Sequence, residues 1–299
     1  MYSNGTAPAR SRKLTAPDLS SRKVRSGAAP IAMVTAYDFT MARLVDEAGV
    51  DAVLVGDSLG MVVQGLGNTL TVTLDEICYH GRAVARGLAT AHLVGDMPFM
   101  SYQVSPTQAV ESAGKMLKEG AFESVKLEGG LEVCEHVQRI VRAGIPVMGH
   151  VGLTPQSVHA FGGFKVQGRG DEAAERVLEG ARALEEAGAY AIVLEAIPPD
   201  LAARVTAELE IPTIGIGAGR ECDGQVLVCT DLLGLARGHQ PKFAKRFAEL
   251  GDVAVAALRG YVAAVQSGDF PGPEHAYKAN VKADVDPAPR ELPPAALRH

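Results

Sequence analysis

Five apolar runs in this chain end on, or beside, a side chain able to move a proton or hold a cation: VLVGDS at Asp57, HLVGD at Asp96, SVKLE at Lys126 and Glu128, VMGH at His150, and AIVLE at Glu195. Unbroken Val/Ile/Leu/Gly runs are the mark of strands buried on both faces in a parallel sheet, and ligands of such sheets sit beyond the carboxyl ends of the strands. The recurrence predicts that these groups converge on one site.

Within SVKLEGG the alternation of a strand puts Lys126 and Glu128 on one face and turns Val125 and Leu127 toward covering helices. Lys126 and Glu128 then face the site, either as functional groups or as an ion pair plugging the interior. Asp57 before Ser58 and Asp96 before Met-Pro also read as N-cap or turn residues. Together with Glu128, however, they bring three carboxylates to one apolar-walled mouth. Like charges roughly 4 Å apart cost about 4 kcal/mol per pair at an effective dielectric of roughly 20. Protonation relieves that cost; a divalent cation relieves it and leaves the acids ionised. An all-oxygen donor set selects a hard ion such as Mg²⁺, and zinc fits poorly because no His/Cys cluster has ligand spacing.

Two further features stay open. His150, in GHVGLTP, reads equally as a group that orients substrate and as a hydrogen-bonded histidine at a strand end. IGIGAG, residues 214 to 219, matches G-x-G-x-G and not the dinucleotide G-x-G-x-x-G. It reads as a backbone cradle for phosphate or as a tight turn.

The elements that must position these groups follow from periodicity. Apolar runs near 31 to 36, 52 to 56, 92 to 95, 124 to 127, 146 to 151, 190 to 194, 212 to 216 and 225 to 229 give eight strands. Between them lie segments of helical period, such as Ala109, Ala113, Met116 and Leu117. Many close on Gly, in EAGV, KEGA, RAGI and EAGA, as a left-handed helix stop requires. Eight strand–helix units spell an α/β fold, a (β/α)8 TIM barrel in a single domain, whose catalytic groups come from one face. The barrel is expected over residues 14–270, with a flexible arm at 1–13 and a Pro-rich flexible tail at 271–299.

Composition supports one large α/β domain: 299 residues, 47% hydrophobic, 21% charged and 5% aromatic. The 29 basic and 35 acidic residues, a formal net charge of -6, provide no field for a phosphate backbone, which argues against nucleic acid. The four cysteines contain no C-x-x-C pair and read as reduced and structural. No run reaches the roughly 18 apolar residues of a membrane span, and no apolar signal core stands near the start. The six basic residues between Arg10 and Arg25 suggest a transit peptide, but the favoured reading is a solvated arm and short first helix, with the protein in the cytoplasm.

The stretches TAYD, VGDS, GDMPF, VKLEGG, GHVGLTPQ, GGFKVQGR and IGIGAG, in this order between about residues 14 and 267, resemble the ketopantoate hydroxymethyltransferase family. The resemblance implies Mg²⁺-dependent transfer of a one-carbon unit from 5,10-methylenetetrahydrofolate to 3-methyl-2-oxobutanoate, giving 2-dehydropantoate for pantothenate and coenzyme A synthesis. It implies metal binding by Asp57 and Asp96, with Glu128 as the third acidic residue of the metal site. Ser58 and Lys126 resemble the contacts to the keto acid, which Asp57 and Asp96 also hold through the metal, and Glu195 resembles the proton acceptor. Where the family usually has Cys or Met after that base, this chain has Ala196. A homo-oligomer is also implied, commonly a decamer. Enzymes of the isocitrate lyase or phosphoenolpyruvate mutase type offer an alternative, but their K-K-C-G-H loop does not occur here. A non-enzymatic barrel holding a phosphorylated ligand on IGIGAG is a further alternative; it leaves Lys126, Glu128 and Glu195 without a role.

Overall fold

The structure, a computed structural model, describes residues 12–277 except 239. The expected arm before Arg12 and the expected tail beyond Tyr277 lie outside the described residues. Eight parallel strands pair in chain order and close on themselves: β1 (Ile31–Thr35), β2 (Ala52–Val55), β3 (His92–Asp96), β4 (Ser124–Lys126), β5 (Val147–Gly152), β6 (Ala191–Glu195), β7 (Thr213–Ile216) and β8 (Gly224–Leu227). Each coincides with an apolar run of the sequence. Asp96 is the last residue of β3 and pairs in register with Lys126, so it belongs to the strand and not to a turn.

The helices are α1 (Ala16–Ser20), α2 (Phe39–Glu47), α3 (Leu59–Val62), α4 (Leu74–Ala85), α5 (Pro106–Gly120), α6 (Cys134–Arg142), α7 (Val158–Phe161), α8 (Asp171–Glu186), α9 (Pro199–Glu208), α10 (Cys229–Leu232) and α11 (Leu250–Ser267). Strand alternation sorts the core into two layers. Met33, Leu54, Val94, Met148, Val193, Ile214 and Val226 fill the barrel, while Val53, Val55, Val125, Leu127 and Ile192 pack outward with Ile77, Met116, Ile140 and Leu184 of the helices. Burial of each large aliphatic side chain contributes roughly 1.5 to 3 kcal/mol. The eightfold alternation breaks once, because residues 217–223 join β7 to β8 with no helix.

α1 lies where the short first helix is expected, within the span read as the barrel. A capping box between Thr15 and Asp18 starts it, and Ala16 and Leu19 enter the interior cluster at the amino-terminal ends of the strands. Beside it the buried Lys23 ammonium donates to Asp223 Oδ2 (2.7 Å), Thr206 O (2.7 Å) and Ile211 O (3.2 Å). The barrel floor is therefore closed by chain from before the first strand. α11 is the opposite case: of its residues only Gly251 is buried, and Val253, Leu258, Tyr261, Val262 and Val265 are exposed. The cysteines are free, as their spacing predicts. Among the described residues no helix is long and apolar enough to cross a membrane.

The glycine stops behave as expected after α2, α6 and α8, where Gly49, Gly144 and Gly188 take φ of +81°, +84° and +98°. KEGA differs. Gly120 remains in α5, and the left-handed position falls on Ala121 at φ +59°. The Phe122 ring explains the shift: a Cβ on Gly120 would lie 2.6 Å from it. Glycine at 120 is needed for packing, and Ala121 bears the steric cost of the turn. Ala121→Gly is accordingly expected to raise stability by about 1 kcal/mol and Gly120→Ala to lower it, both read by thermal unfolding. A lower melting temperature for Ala121→Gly would contradict this account of the turn.

Candidate active site

All the chemistry-bearing groups of the sequence come together at the carboxyl ends of β2 to β6. After β2 the chain turns through Asp57 and Ser58 into α3. Neither side chain caps that helix. Ser58 Oγ shares a hydrogen bond of 2.8 Å with the buried Tyr37 hydroxyl, and Asp57 Oδ2 accepts one of 2.9 Å from Gln156 Nε2. Asp57 donates its backbone N–H to Asp96 Oδ2 at 3.3 Å, which ties the second strand end to the third.

Lys126 and Glu128 share the inward face as their spacing requires, but they do not pair with each other. Lys126 Nζ lies 2.6 Å from Asp96 Oδ1, its neighbour in strand register, and 3.4 Å from His150 Nδ1. Glu128 Oε2 accepts the backbone N–H of Gln156 at 3.0 Å, and Glu128 Oε1 lies 3.4 Å from His150 Nδ1. His150 Nε2 is 3.2 Å from Glu195 Oε2. The histidine thus stands between two acids, Glu128 and Glu195, the second at the end of β6. Ala196 follows at φ +46°, a left-handed conformation in a residue with a side chain, and its N–H bonds Ile216 O at 2.9 Å.

Burial sets the electrostatics. Burial first, then the neighbouring acids, raise the Asp57 carboxyl well above the ordinary range; burial also raises Asp96, opposed by Lys126. For Lys126 burial works against the charge, and Asp96, Glu128 and Asp57 overcome it, so the ammonium is held more firmly than in water. For His150 burial and Lys126 again oppose the charge, yet Glu128 and Glu195 push it up to about 9. With every group charged, the carboxylates of Asp57, Asp96, Glu128 and Glu195 face one ammonium and one imidazolium, an excess of two negative charges. A divalent cation matches that excess.

The three expected acids, Asp57, Asp96 and Glu128, all reach the mouth. Among the described residues no group of three or more His, Cys, Asp and Glu side chains is arranged to hold an ion unaided. Glu128 Oε1 faces the His150 ring and Oε2 accepts the Gln156 N–H. Asp57, Asp96 and Glu128 form an oxygen-only donor set, and such a set fits Mg²⁺, which commonly takes one or two carboxylates and completes its shell with waters and substrate oxygens.

IGIGAG resolves as a tight turn. A Cβ at Gly217 would meet the Phe243 ring at 2.9 Å, and one at Gly219 would meet Pro199 Cβ at 2.7 Å, so protein neighbours account for these glycines. No helix follows β7 to turn an amino terminus toward a phosphate. Reasoning from strand ends missed Tyr37, Tyr102 and Gln156, all buried at the mouth. Tyr37 and Gln156 do stand in the TAYD and GHVGLTPQ stretches, but no periodicity marks them.

This geometry agrees with what the chain is similar to. A family model described as ketopantoate hydroxymethyltransferase matches residues 13–273. A 3-methyl-2-oxobutanoate hydroxymethyltransferase from Anaeromyxobacter sp. (strain Fw109-5) is 55% identical over 291 residues, covering 96% of this chain and 94% of that one. The protein of the same name from Pelobacter propionicus is 55% identical over 266 residues, covering 89% and 98%. Solved structures extend the likeness to the fold alone. A 2,3-dimethylmalate lyase of the PEP mutase/isocitrate lyase superfamily aligns with TM-score 0.56 at 18% identity, over 90% of this chain and 92% of that one. A phosphonopyruvate hydrolase in complex with oxalate and Mg²⁺ aligns with TM-score 0.56 at 13% identity, over 88% and 93%. With the barrel, the six charged groups at its mouth and a match that runs from the floor segment to beyond α11, the chain belongs to the ketopantoate hydroxymethyltransferase family.

Proposed function

We propose that the mouth carries out the family's reaction, hydroxymethyl transfer to 3-methyl-2-oxobutanoate in pantothenate synthesis, with 5,10-methylenetetrahydrofolate as the one-carbon donor and Mg²⁺ as the cation. The observation that carries this reading is the division of labour among the acids. The Asp96 and Glu128 side chains are 4% and 3% accessible and held by Lys126, His150 and Gln156, while Glu195 is 16% accessible and touched by His150. Glu195 is the acid that can reach a substrate carbon.

In this reading Asp57 and Asp96 would hold Mg²⁺, with Glu128 as the third acidic residue of the site. The bound ion supplies Lewis-acid polarisation of the keto and carboxylate oxygens of the 2-oxo acid. Glu195 removes the proton from carbon 3, and His150 fixes its carboxylate. Lys126 places a firmly held positive charge near the oxygen that becomes an enolate, an interaction that strengthens as the charge develops. Ser58, steadied by Tyr37, contacts the keto acid. Carbon 3 bonds to the methylene carbon, the bonds from that carbon to the folate nitrogens break, and water supplies the hydroxyl oxygen. The products are 2-dehydropantoate and tetrahydrofolate. The chain acts as a homo-oligomer, the decamer that the family resemblance implies, in the cytoplasm. The exposed apolar side of α11 supports the assembly, and the free cysteines suit a reducing compartment.

Enolate formation is separable from transfer. Protein with Mg²⁺ and 3-methyl-2-oxobutanoate in deuterium oxide is expected to exchange the carbon 3 proton without folate, followed by proton NMR. Glu195→Gln should lose about 100- to 10,000-fold of that exchange. Exchange at the wild-type rate would remove Glu195 as the base.

The raised carboxyls of Asp57 and Asp96 predict a pH dependence. A carboxyl with a raised pKa holds more protons in the cation-free protein, and ligation requires the ionised form, so Mg²⁺ binding should release protons and tighten as pH rises. Calorimetry in buffers of different ionisation enthalpy reads this release. Asp57→Asn and Asp96→Asn should abolish metal-dependent keto-acid binding, and Glu128→Gln should weaken it less. Keto-acid affinity that is the same in chelator as in Mg²⁺ would contradict the metal assignment.

A further inference from the structure

Gln156 lies in the short turn after β5 and is buried among the mouth residues, yet the chemistry above gives it no part. Its side-chain amide has partners at both ends. Nε2 donates to Asp57 Oδ2 (2.9 Å) and to Met97 O (2.9 Å); Oε1 lies 2.9 Å from the Tyr102 hydroxyl and 3.0 Å from Gln103 Nε2. Met97 O can only accept, which fixes the nitrogen of the amide on that side. The backbone N–H of the same residue donates to Glu128 Oε2 at 3.0 Å. Tyr102 stands at the far end, its one hydroxyl proton shared between Gln156 Oε1 and Glu128 O (2.9 Å each) and its oxygen accepting the Glu128 N–H at 3.1 Å.

We infer that Gln156 is a positioning residue that sets the Asp57 carboxylate for cation and keto-acid binding. The inference rests on the reading of the mouth as a divalent-metal site. Among the described residues Gln156 is the one side chain that hydrogen-bonds the Asp57 carboxylate. It fixes one oxygen and the rotation of the group, and leaves the other oxygen for a ligand. The choice of an amide has a physical reason. A lysine or arginine there would also hold Asp57 but would bring a positive charge that repels the incoming cation. A neutral donor orients the carboxylate and leaves its charge intact. From one loop Gln156 therefore positions Asp57 through its side chain and Glu128 through its backbone, linking the ends of β2 and β4 across the mouth.

The test compares full-length wild type with Gln156→Met, which keeps length and removes the donor, and with Tyr102→Phe, which loosens the far end of the amide. Mn²⁺ is titrated, and free ion is read by electron paramagnetic resonance. Melting temperatures of the metal-free proteins, and KM and kcat for the keto acid, are measured beside it. Gln156→Met is expected to weaken Mn²⁺ binding by about 10- to 100-fold, the range for partners that orient a metal ligand. KM for the keto acid should rise in parallel and kcat should recover at saturating Mn²⁺; Tyr102→Phe should shift the same quantities less. Unchanged Mn²⁺ affinity in a folded Gln156→Met protein would overturn the inference. So would a loss of kcat that Mn²⁺ does not restore, the result expected of a purely structural role. If wild type itself binds no Mn²⁺, the metal reading of the mouth fails and the inference falls with it, a result distinct from either.

Discussion

The mouth depends on keeping Lys126 charged inside a barrel. A buried ammonium is costly unless opposite charge stands within contact distance, and the closed sheet supplies it by register. Pairing of β3 with β4 sets Asp96 beside Lys126, and the side chains meet at 2.6 Å. One acid would suffice to balance that charge, but Asp57, Glu128 and Glu195 crowd the same space, with His150 between the last two. That surplus of negative charge is what the proposed divalent cation would offset.

The floor of the barrel shows what a purely structural ion pair looks like in the same molecule. Lys23 and Asp223 are as buried as the mouth residues, but the charges balance one to one. The ammonium is further satisfied by two backbone carbonyls, and Asp223 Oδ1 accepts Val24 N–H at 2.8 Å. That pair fastens the segment before β1 to the chain before β8, and no charge is left over. Stability at the amino-terminal face and unbalanced charge at the carboxyl-terminal face follow the division of labour usual in such barrels.

Much of this is legible in the sequence because each strand is an apolar run that ends in its functional residue. Asp57, Asp96, Lys126, Glu128, His150 and Glu195 could be placed at one mouth from strand ends alone, and the two-residue spacing of Lys126 and Glu128 gives their shared face. Partners were not legible. That Lys126 chooses Asp96 over Glu128 depends on register between strands 30 residues apart in the chain, which no local pattern encodes. Gln156 is an uncharged residue in a loop, and its role emerges only when the turn after β5 brings it to Asp57, 99 positions away. The missing helix between β7 and β8, and the glycine of KEGA that serves Phe122 instead of the turn, are tertiary effects of the same kind.

The central claim is that Asp57 and Asp96 hold a divalent cation carrying the keto acid, with Glu195 facing the carbon that loses its proton. Crystals of the protein with Mn²⁺ and 3-methyl-2-oxobutanoate, measured at a wavelength where manganese scatters anomalously, test it most directly. The account predicts an anomalous peak bounded by the two aspartates, the keto and carboxylate oxygens on the same ion, Glu128 at the same site, and Glu195 beside carbon 3. A peak elsewhere in the barrel, or a keto acid whose carbon 3 turns away from Glu195, would contradict it.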